Sequence, residues 1–302
     1  GILGQAWVGV EGGEERILLR EGEWAARREF AADLARIGMR PDPPSGLAGL
    51  RETCLTPTIL YNAMVHPFTP LRVRGFLWYQ GCSNTGAPED YRKLQPLLVE
   101  CWRRAFDSPE AAFLITQLSA FHQHTPEQRL PDDFWKVLPP TDSGYASLRE
   151  VQDDMRALPN TGVAVTIDIG DHSDIHPANK RDVAFRLAKQ AERLCYGCTD
   201  VVDGPRYANH VVENGRIRIA FDNVQHGLVA RGGAVGEHSF AVAGADKRFV
   251  WAEAKVEGDT VVVWSPEVPK PVHVRYAWAM FPPNPNLYNA EGFPMAPFRT
   301  DR

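Results

Sequence analysis

Three short apolar runs, each followed by a segment of helical periodicity, constrain this chain more than any other feature. Residues 73–79 (VRGFLWY), 112–118 (AFLITQL) and 162–167 (GVAVTI) read as buried strands. Residues 88–106 read as a helix, with Tyr91, Leu94, Leu98, Cys101 and Trp102 on one face. Pro88 suits its first turn and Pro96 is expected to kink it. Residues 145–156 and 177–194 read as two more helices, and residues 24–37 as an earlier one that stops at Gly38. Strand alternating with helix is the pattern of a parallel sheet covered by helices. Such sheets bind ligands beyond the carboxyl ends of their strands, which points to the loops at 80–87 and 168–177.

After Gly204 the pattern changes. Residues 216–221, 238–243, 249–256, 260–264 and 272–278 are short β-type runs, and Gly258-Asp259 is a hairpin signal. The expectation is two regions, 1–203 as an α/β part and 204–302 as an antiparallel β unit. Lys plus Arg total 33 against 38 for Asp plus Glu, a net charge of −5 without a basic stripe, which argues against a nucleic-acid partner. No apolar run approaches the roughly 20 residues that cross a bilayer, so no membrane partner is expected. Five cysteines are too few for a disulfide scaffold, and Cys195-Tyr-Gly-Cys198 at a helix end is read as structural. The sequence starts at Gly1, and residues 1–10 lack the parts of a signal peptide. A preceding piece is expected.

The loop at 168–177 holds Asp168, Asp171, His172, Asp174 and His176. An imidazole moves a proton near neutral pH, and a carboxylate nearby orients it and stabilises its cation. A solvated acidic loop whose Asp174 or His176 caps a helix starting at Pro177 is the plainer alternative. A metal site on His172 and His176 is a third. The loop at 80–87 opens Gln80-Gly81-Cys82-Ser83-Asn84. Glycine admits close approach of a ligand to backbone, and the asparagine amide is a neutral donor suited to an oxyanion. Cys82 and Ser83 suit turn positions more than nucleophilic ones, and no Gly-x-Ser-x-Gly elbow is present. His122, His124, Asp132 and Asp133 resemble a metal cluster but sit in a Pro-rich loop without helical spacing.

Together these residues resemble the sialate O-acetylesterase family, a branch of the SGNH hydrolases. The carriers are Leu60-Tyr61-Asn62-Ala63-Met64, Trp78-Tyr79-Gln80-Gly81-Cys82-Ser83-Asn84, the stretch from Asp168 to Lys180, and three C-terminal motifs: Val274-Arg275-Tyr276-Ala277-Trp278, Asn286-Leu287-Tyr288-Asn289 and Pro297-Phe298-Arg299-Thr300. The resemblance implies a three-layer SGNH-type α/β fold, here lacking its first strand, and hydrolysis of sugar acetyl esters by serine acyl transfer. It implies His176 as base and Asn84 as oxyanion donor. Asp174 would orient His176, with Asp171 in reserve. The superfamily spaces this pair as Asp-x-x-His, but Ser173 stands three residues before His176, so a Ser-His dyad is the alternative. Gln5-Ala6-Trp7 resembles the end of the family's second block, which would make Gly1 a further oxyanion donor. The serine of the family's Gly-Gln-Ser-Asn motif is absent from these 302 residues. Cys82 stands where the family has glutamate.

The same resemblance suggests Gln80, Gln117 and Arg149 as substrate contacts, an O-acetylated sugar as substrate, no cofactor or metal, and a serine-bearing segment as partner. Acetylated xylan or another polysaccharide would need the same apparatus. A secreted, periplasmic or lysosomal setting would fit the family. The competing reading is a non-catalytic carbohydrate-binding protein, with Trp251, Trp264, Tyr276 and Trp278 stacking on sugars.

Overall fold

The computed structural model describes residues 6–9, 16–19, 60–122, 139–200 and 202–302. The chain divides into two compact units, Gly1–Phe68 and Thr69–Arg302. In the first, strand β1 (Ala6–Gly9) pairs antiparallel with β2 (Arg16–Leu19), and a π-helical turn at Tyr61–Val65 runs into a 3-10 turn at His66–Phe68. The helix expected over 24–37, and Gly1 itself, lie outside the described residues.

The second unit begins with the anticipated alternation. Strands β3 (Gly75–Trp78), β4 (Ala112–Thr116) and β5 (Thr161–Ala164) form a parallel sheet in that order, linked by helices α1 (Pro88–Ala105) and α2 (Gly144–Asp154) and followed by α3 (Lys180–Tyr196). Helices cover both faces because β4 is apolar on both. Phe113 meets Phe76 on β3 and Trp102 on α1, while Ala112 and Leu114 pack with Val183 and Leu187 of α3. Every residue of β4 is buried, the continuous apolar run that a two-sided sheet demands. Helix α1 continues through Pro96 as one element. Beside β3, no strand among the described residues pairs with the edge away from β4, and Leu77 there is 67% exposed.

Helix α3 starts three residues later than the sequence suggests. Asn179, rather than Asp174 or His176, caps it: its side chain accepts from Asp182 N at 3.2 Å and donates to Asp182 Oδ2 at 2.9 Å. His176 is thereby left on the loop. At the other end Gly197 takes the left-handed conformation (φ 70°) and Cys198 N donates to Glu192 O. The C-x-x-C spacing is thus that of a helix C-cap, and both thiols are free.

From Arg206 the chain is antiparallel. Strands β6 (Arg206–Glu213), β7 (Arg216–Asp222), β9 (Phe240–Ala243), β10 (Val250–Glu257), β11 (Thr260–Trp264), β12 (His273–Tyr276) and β14 (Phe298–Arg299) form one sheet, ordered β14-β12-β9-β10-β11-β7-β6. A small second sheet pairs β8 (Leu228–Ala230) with β13 (Leu287–Asn289). The Gly258-Asp259 hairpin forms as expected, with Glu257 opposite Thr260. Val165 and Ile167, which follow β5, share one apolar core with Ile217, Ile219, Val242, Val261, Val274 and Leu287 of this β part.

A buried ion network joins the two sheets. Asp203 accepts from Arg156, Arg193 and Gln190, each at 2.7 Å. Burial alone would raise its pKa, but Arg156 and Arg193 outweigh burial and hold the carboxyl below the usual aspartate range. Its stabilising share is therefore present at neutral pH and is lost as pH falls through that lowered value. We expect Asp203→Ala to cost about 3 kcal/mol, because Arg156 would keep only Asp153 as a counter-charge while Arg193 and Gln190 each lose an acceptor. A urea midpoint unchanged from the parent would contradict this.

Candidate active site

The loop after β3 is built to present Asn84. The backbone turns at Gly81, whose φ of 145° is open mainly to glycine; a Cβ there would lie 3.0 Å from Leu148 and 3.1 Å from the Gln152 amide. Gln152 reaches up from α2 and donates to Gln80 O at 3.1 Å, while its own Oε1 accepts from Leu118 N. Cys82–Asn84 then forms a 3-10 turn.

A chain of hydrogen bonds sets the direction of the Asn84 amide. The Trp78 indole can only donate, and gives its proton to the Tyr91 hydroxyl at 3.1 Å. The Tyr91 hydroxyl donates in turn to Gln80 Oε1 at 3.1 Å. Burial raises the Tyr91 pKa, so this phenol keeps its proton. With its oxygen occupied, Gln80 turns its Nε2 toward Asn84 Oδ1 at 2.6 Å. Asn84 is left with its Nδ2 as the outward group, a donor. Cys82 packs against the apolar cluster of Tyr91, Leu118, Tyr145 and Leu148, surroundings that suit a thiol better than a carboxylate.

The loop after β5 is anchored at its first residue. Asp168 makes a two-pronged contact with Arg186 of α3 (2.6 and 2.7 Å) and accepts from the Tyr288 hydroxyl of β13 at 2.9 Å. Asp171 then folds the loop on itself: its Oδ1 accepts from Ser173 N, Ser173 Oγ and Asp174 N. These bonds, that from Ser173 N foremost, hold its carboxyl below the ordinary aspartate range. Its Oδ1 lies 4.0 Å from His172 Nδ1, so Asp171 faces His172 and not His176. The His172 ring meets Phe281 edge-on at 5.9 Å. Asp174 accepts from His176 N at 2.8 Å and stands 3.9 Å from His176 Nδ1, near the ring without bonding to it. The His176 side chain is 87% exposed. Pro177 behind it is buried.

Both loops leave the same edge of the parallel sheet, and one contact ties them. Lys180, the first residue of α3, sits over the Tyr79 ring at 5.0 Å, one residue before Gln80. Gln80 and Asn84 on one loop, and Asp174 and His176 on the other, therefore both lie past the carboxyl ends of parallel strands. Gln117 and Arg149 are not exposed there. Each is 0% exposed, and Gln117 donates to Arg149 O. Arg149 gives its donors to the backbone carbonyls of Leu118, Ser119, Ala279 and Met280. In place of the substrate contacts expected of them, both build the floor. Among the described residues no three His, Cys, Asp or Glu side chains converge as a metal site would need. No helix of the described residues is long and apolar enough to cross a membrane. His124, Asp132 and Asp133 lie outside the described residues.

Sequence reasoning passed over Tyr91 and the Asp168–Arg186–Tyr288 clamp. Tyr91 stood only as an apolar face residue, and nothing local marks a tyrosine 13 positions from Trp78 as its acceptor. Of the four aromatics suggested for sugar stacking, Tyr276 and Trp278 are buried in the core and Trp264 lies under Arg216 at 4.6 Å. Trp251 lines a cleft.

No family model matches the chain. It is 29% identical over 181 residues to a sialate O-acetylesterase of Mus musculus, a match covering 55% of this chain and 32% of that protein. It is 32% identical over 153 residues to the Homo sapiens protein of the same name, covering 46% and 28%. These matches span about a third of the length of each relative. Among solved structures, a carbohydrate acetylesterase from Xanthomonas citri superposes with a TM-score of 0.72 at 39% identity, over 84% of this chain and 57% of that one.

Proposed function

We propose that this chain, which is similar to sialate O-acetylesterases and to a carbohydrate acetylesterase, carries the base and an oxyanion donor of a carbohydrate O-acetylesterase. On this reading residues 1–203 supply the acyl-transfer groups of an SGNH-type three-layer fold and residues 204–302 brace them. A serine hydroxyl attacks the acetyl carbonyl while His176 takes its proton. The tetrahedral oxyanion is held by Asn84 Nδ2. The carbon–oxygen bond to the sugar breaks, and His176 returns the proton to the departing alkoxide. Water then repeats the sequence on the acetyl-serine and releases acetate. Asp174, 3.9 Å from the ring in the resting geometry, closes on Nδ1 to orient it.

The observation that carries this reading is the polarity of the Trp78–Tyr91–Gln80–Asn84 chain, which forces a donor outward on the sheet edge that also carries an exposed imidazole. The attacking serine is not in these 302 residues, which hold no Gly-Gln-Ser-Asn. The test is acetate release from 4-nitrophenyl acetate and from acetylated saccharides. The 302-residue chain alone is expected to show none above buffer, and the chain joined to a segment carrying that serine motif is expected to turn over. His176-dependent hydrolysis by the 302 residues alone would show that the nucleophile lies among them.

A further inference from the structure

The turn that carries Asn84 is seated along one face of α2. Gly144, Leu148 and Gln152 follow one another at intervals of four residues, so they form a row on the helix. The loop crosses that row in the opposite direction. Gln152 Nε2 donates to Gln80 O at 3.1 Å, a Cβ on Gly81 would lie 3.0 Å from Leu148, and Cys82 packs beside Tyr145 and Leu148. Thr85, which directly follows Asn84, lies against Gly144 at the far end. A Cβ on Gly144 would fall 2.0 Å from Thr85 O and 3.0 Å from the Thr85 carbonyl carbon. Only a residue without a side chain admits that approach.

Two features turn this seat into a positioning device. The turn is braced internally: Asn84 N donates to Gly81 O at 2.8 Å, Thr85 Oγ1 to Cys82 O at 3.0 Å, and Ala87 N to Asn84 O at 2.9 Å. A push on Thr85 therefore carries Asn84 with it. The helix is the fixed partner. Ser143 caps it by accepting from Tyr145 N at 3.2 Å, Arg149 reaches four backbone carbonyls, and Glu150 accepts from Arg299 at 3.1 and 2.9 Å. Gln152, fully enclosed, also accepts from Leu118 N at 2.8 Å. It is thus a strut between the chain leaving β4 and the loop leaving β3. Gly86, one residue past Thr85, is the contrast: a Cβ there would meet nothing within 4 Å.

We infer that Gly144 and Gln152 are positioning residues for the oxyanion donor, Gly144 acting through Thr85 and Gln152 through Gln80. This rests on the acetylesterase reading and deepens it by assigning the placement of the Asn84 amide to one face of α2. The hydrogen-bond chain from Trp78 decides which end of that amide points outward, and the seat on α2 decides where it stands.

The test is a double-mutant cycle on the serine-supplied protein, read as kcat and KM on 4-nitrophenyl acetate. Asn84→Ala is expected to lower kcat about 10²–10³-fold. Gly144→Ala has to displace the turn by about 1 Å, and is expected to lower kcat about 10–10²-fold with KM within about twofold of the parent. Added to Asn84→Ala it is expected to cost no more than about a further twofold, because the donor it misplaces is already gone. Gln152→Met keeps the side-chain length and removes both bonds. It is expected to show the same non-additivity, and it supplies the cycle should Gly144→Ala fail to fold. Gly86→Ala is expected to keep the parental kcat. Parental kcat in Gly144→Ala would overturn the inference, and so would losses that add in full to that of Asn84→Ala, the pattern of a merely structural role. If the serine-supplied parent releases no acetate, the acetylesterase reading fails on its own. The seat is then read in the 302-residue chain from the Asn84 side-chain amide signals in heteronuclear NMR, assigned by their loss in Asn84→Ala. Gly144→Ala is expected to shift them and Gly86→Ala to leave them in place. Signals unmoved by Gly144→Ala would overturn the seat whatever the activity.

Discussion

His176→Ala is expected to lower acetyl-ester hydrolysis by the serine-supplied protein about 10³-fold or more, with the fold unchanged. General base catalysis by a positioned side chain contributes on the order of 10²–10⁴-fold. Here the same imidazole also protonates the leaving sugar, so the loss falls at the upper end. The ring is 87% exposed, and only its backbone N–H is held, by Asp174. Alanine therefore removes no packing and leaves no buried polar group. Asp174→Ala is expected to lose less, about 10–10²-fold, because the carboxylate stands 3.9 Å from Nδ1 and must move before it can orient the ring. Asp171→Ala acts through the loop it folds, so its loss should be accompanied by a change in loop protection from hydrogen exchange. Equal rates for His176→Ala and the parent, measured as kcat on 4-nitrophenyl acetate, would remove His176 from the mechanism.

The sequence announces the strand–helix alternation because that signal is local. A doubly covered strand is apolar throughout, and α1 and α3 each keep one apolar stripe. The loops at the strand ends follow from the same reading, and Asn84 and His176 with them. What escapes is what depends on the third dimension. Strand β6 shows little alternation, and its residues run from half-buried to exposed. Its hairpin signal was nevertheless present in Asn214-Gly215, where both residues take positive φ (51° and 75°). Helix α3 was placed early because Pro177 suits a first turn, yet Asn179 offers the better cap. The family resemblance suggests Gln117 and Arg149 as substrate contacts. Only the packing of α2 against the ends of β4 and β12 reveals that both are enclosed.

Arg149 gives the second large effect, and it separates a structural role from a binding one. Its guanidinium is wholly enclosed, and burial pulls its pKa down to about 9, so it is still cationic at neutral pH. Four carbonyls receive it: Leu118 and Ser119 beyond β4 at 2.8 and 2.9 Å, and Ala279 and Met280 beyond β12 at 2.6 and 2.8 Å. Alanine would take the donor from the Leu118, Ser119 and Ala279 carbonyls, leave Met280 O with Phe121 N alone at 3.3 Å, and open a void the size of the side chain. Each such carbonyl costs on the order of 1–3 kcal/mol when unpaired, although water entering the void recovers part of that. A net loss of about 3–5 kcal/mol is expected, near the limit for single substitutions. For a chain of this size that lowers the thermal midpoint by about 5–8 °C. Arg149→Lys should recover little, since one ammonium cannot span four acceptors on two segments. A residue that merely touched sugar would give the opposite pattern, a raised KM with an unchanged midpoint. Calorimetry on Arg149→Ala decides between them: a midpoint within about 2 °C of the parent would free Arg149 for substrate, and a large fall would fix it as the rivet joining the two sheets beneath the site.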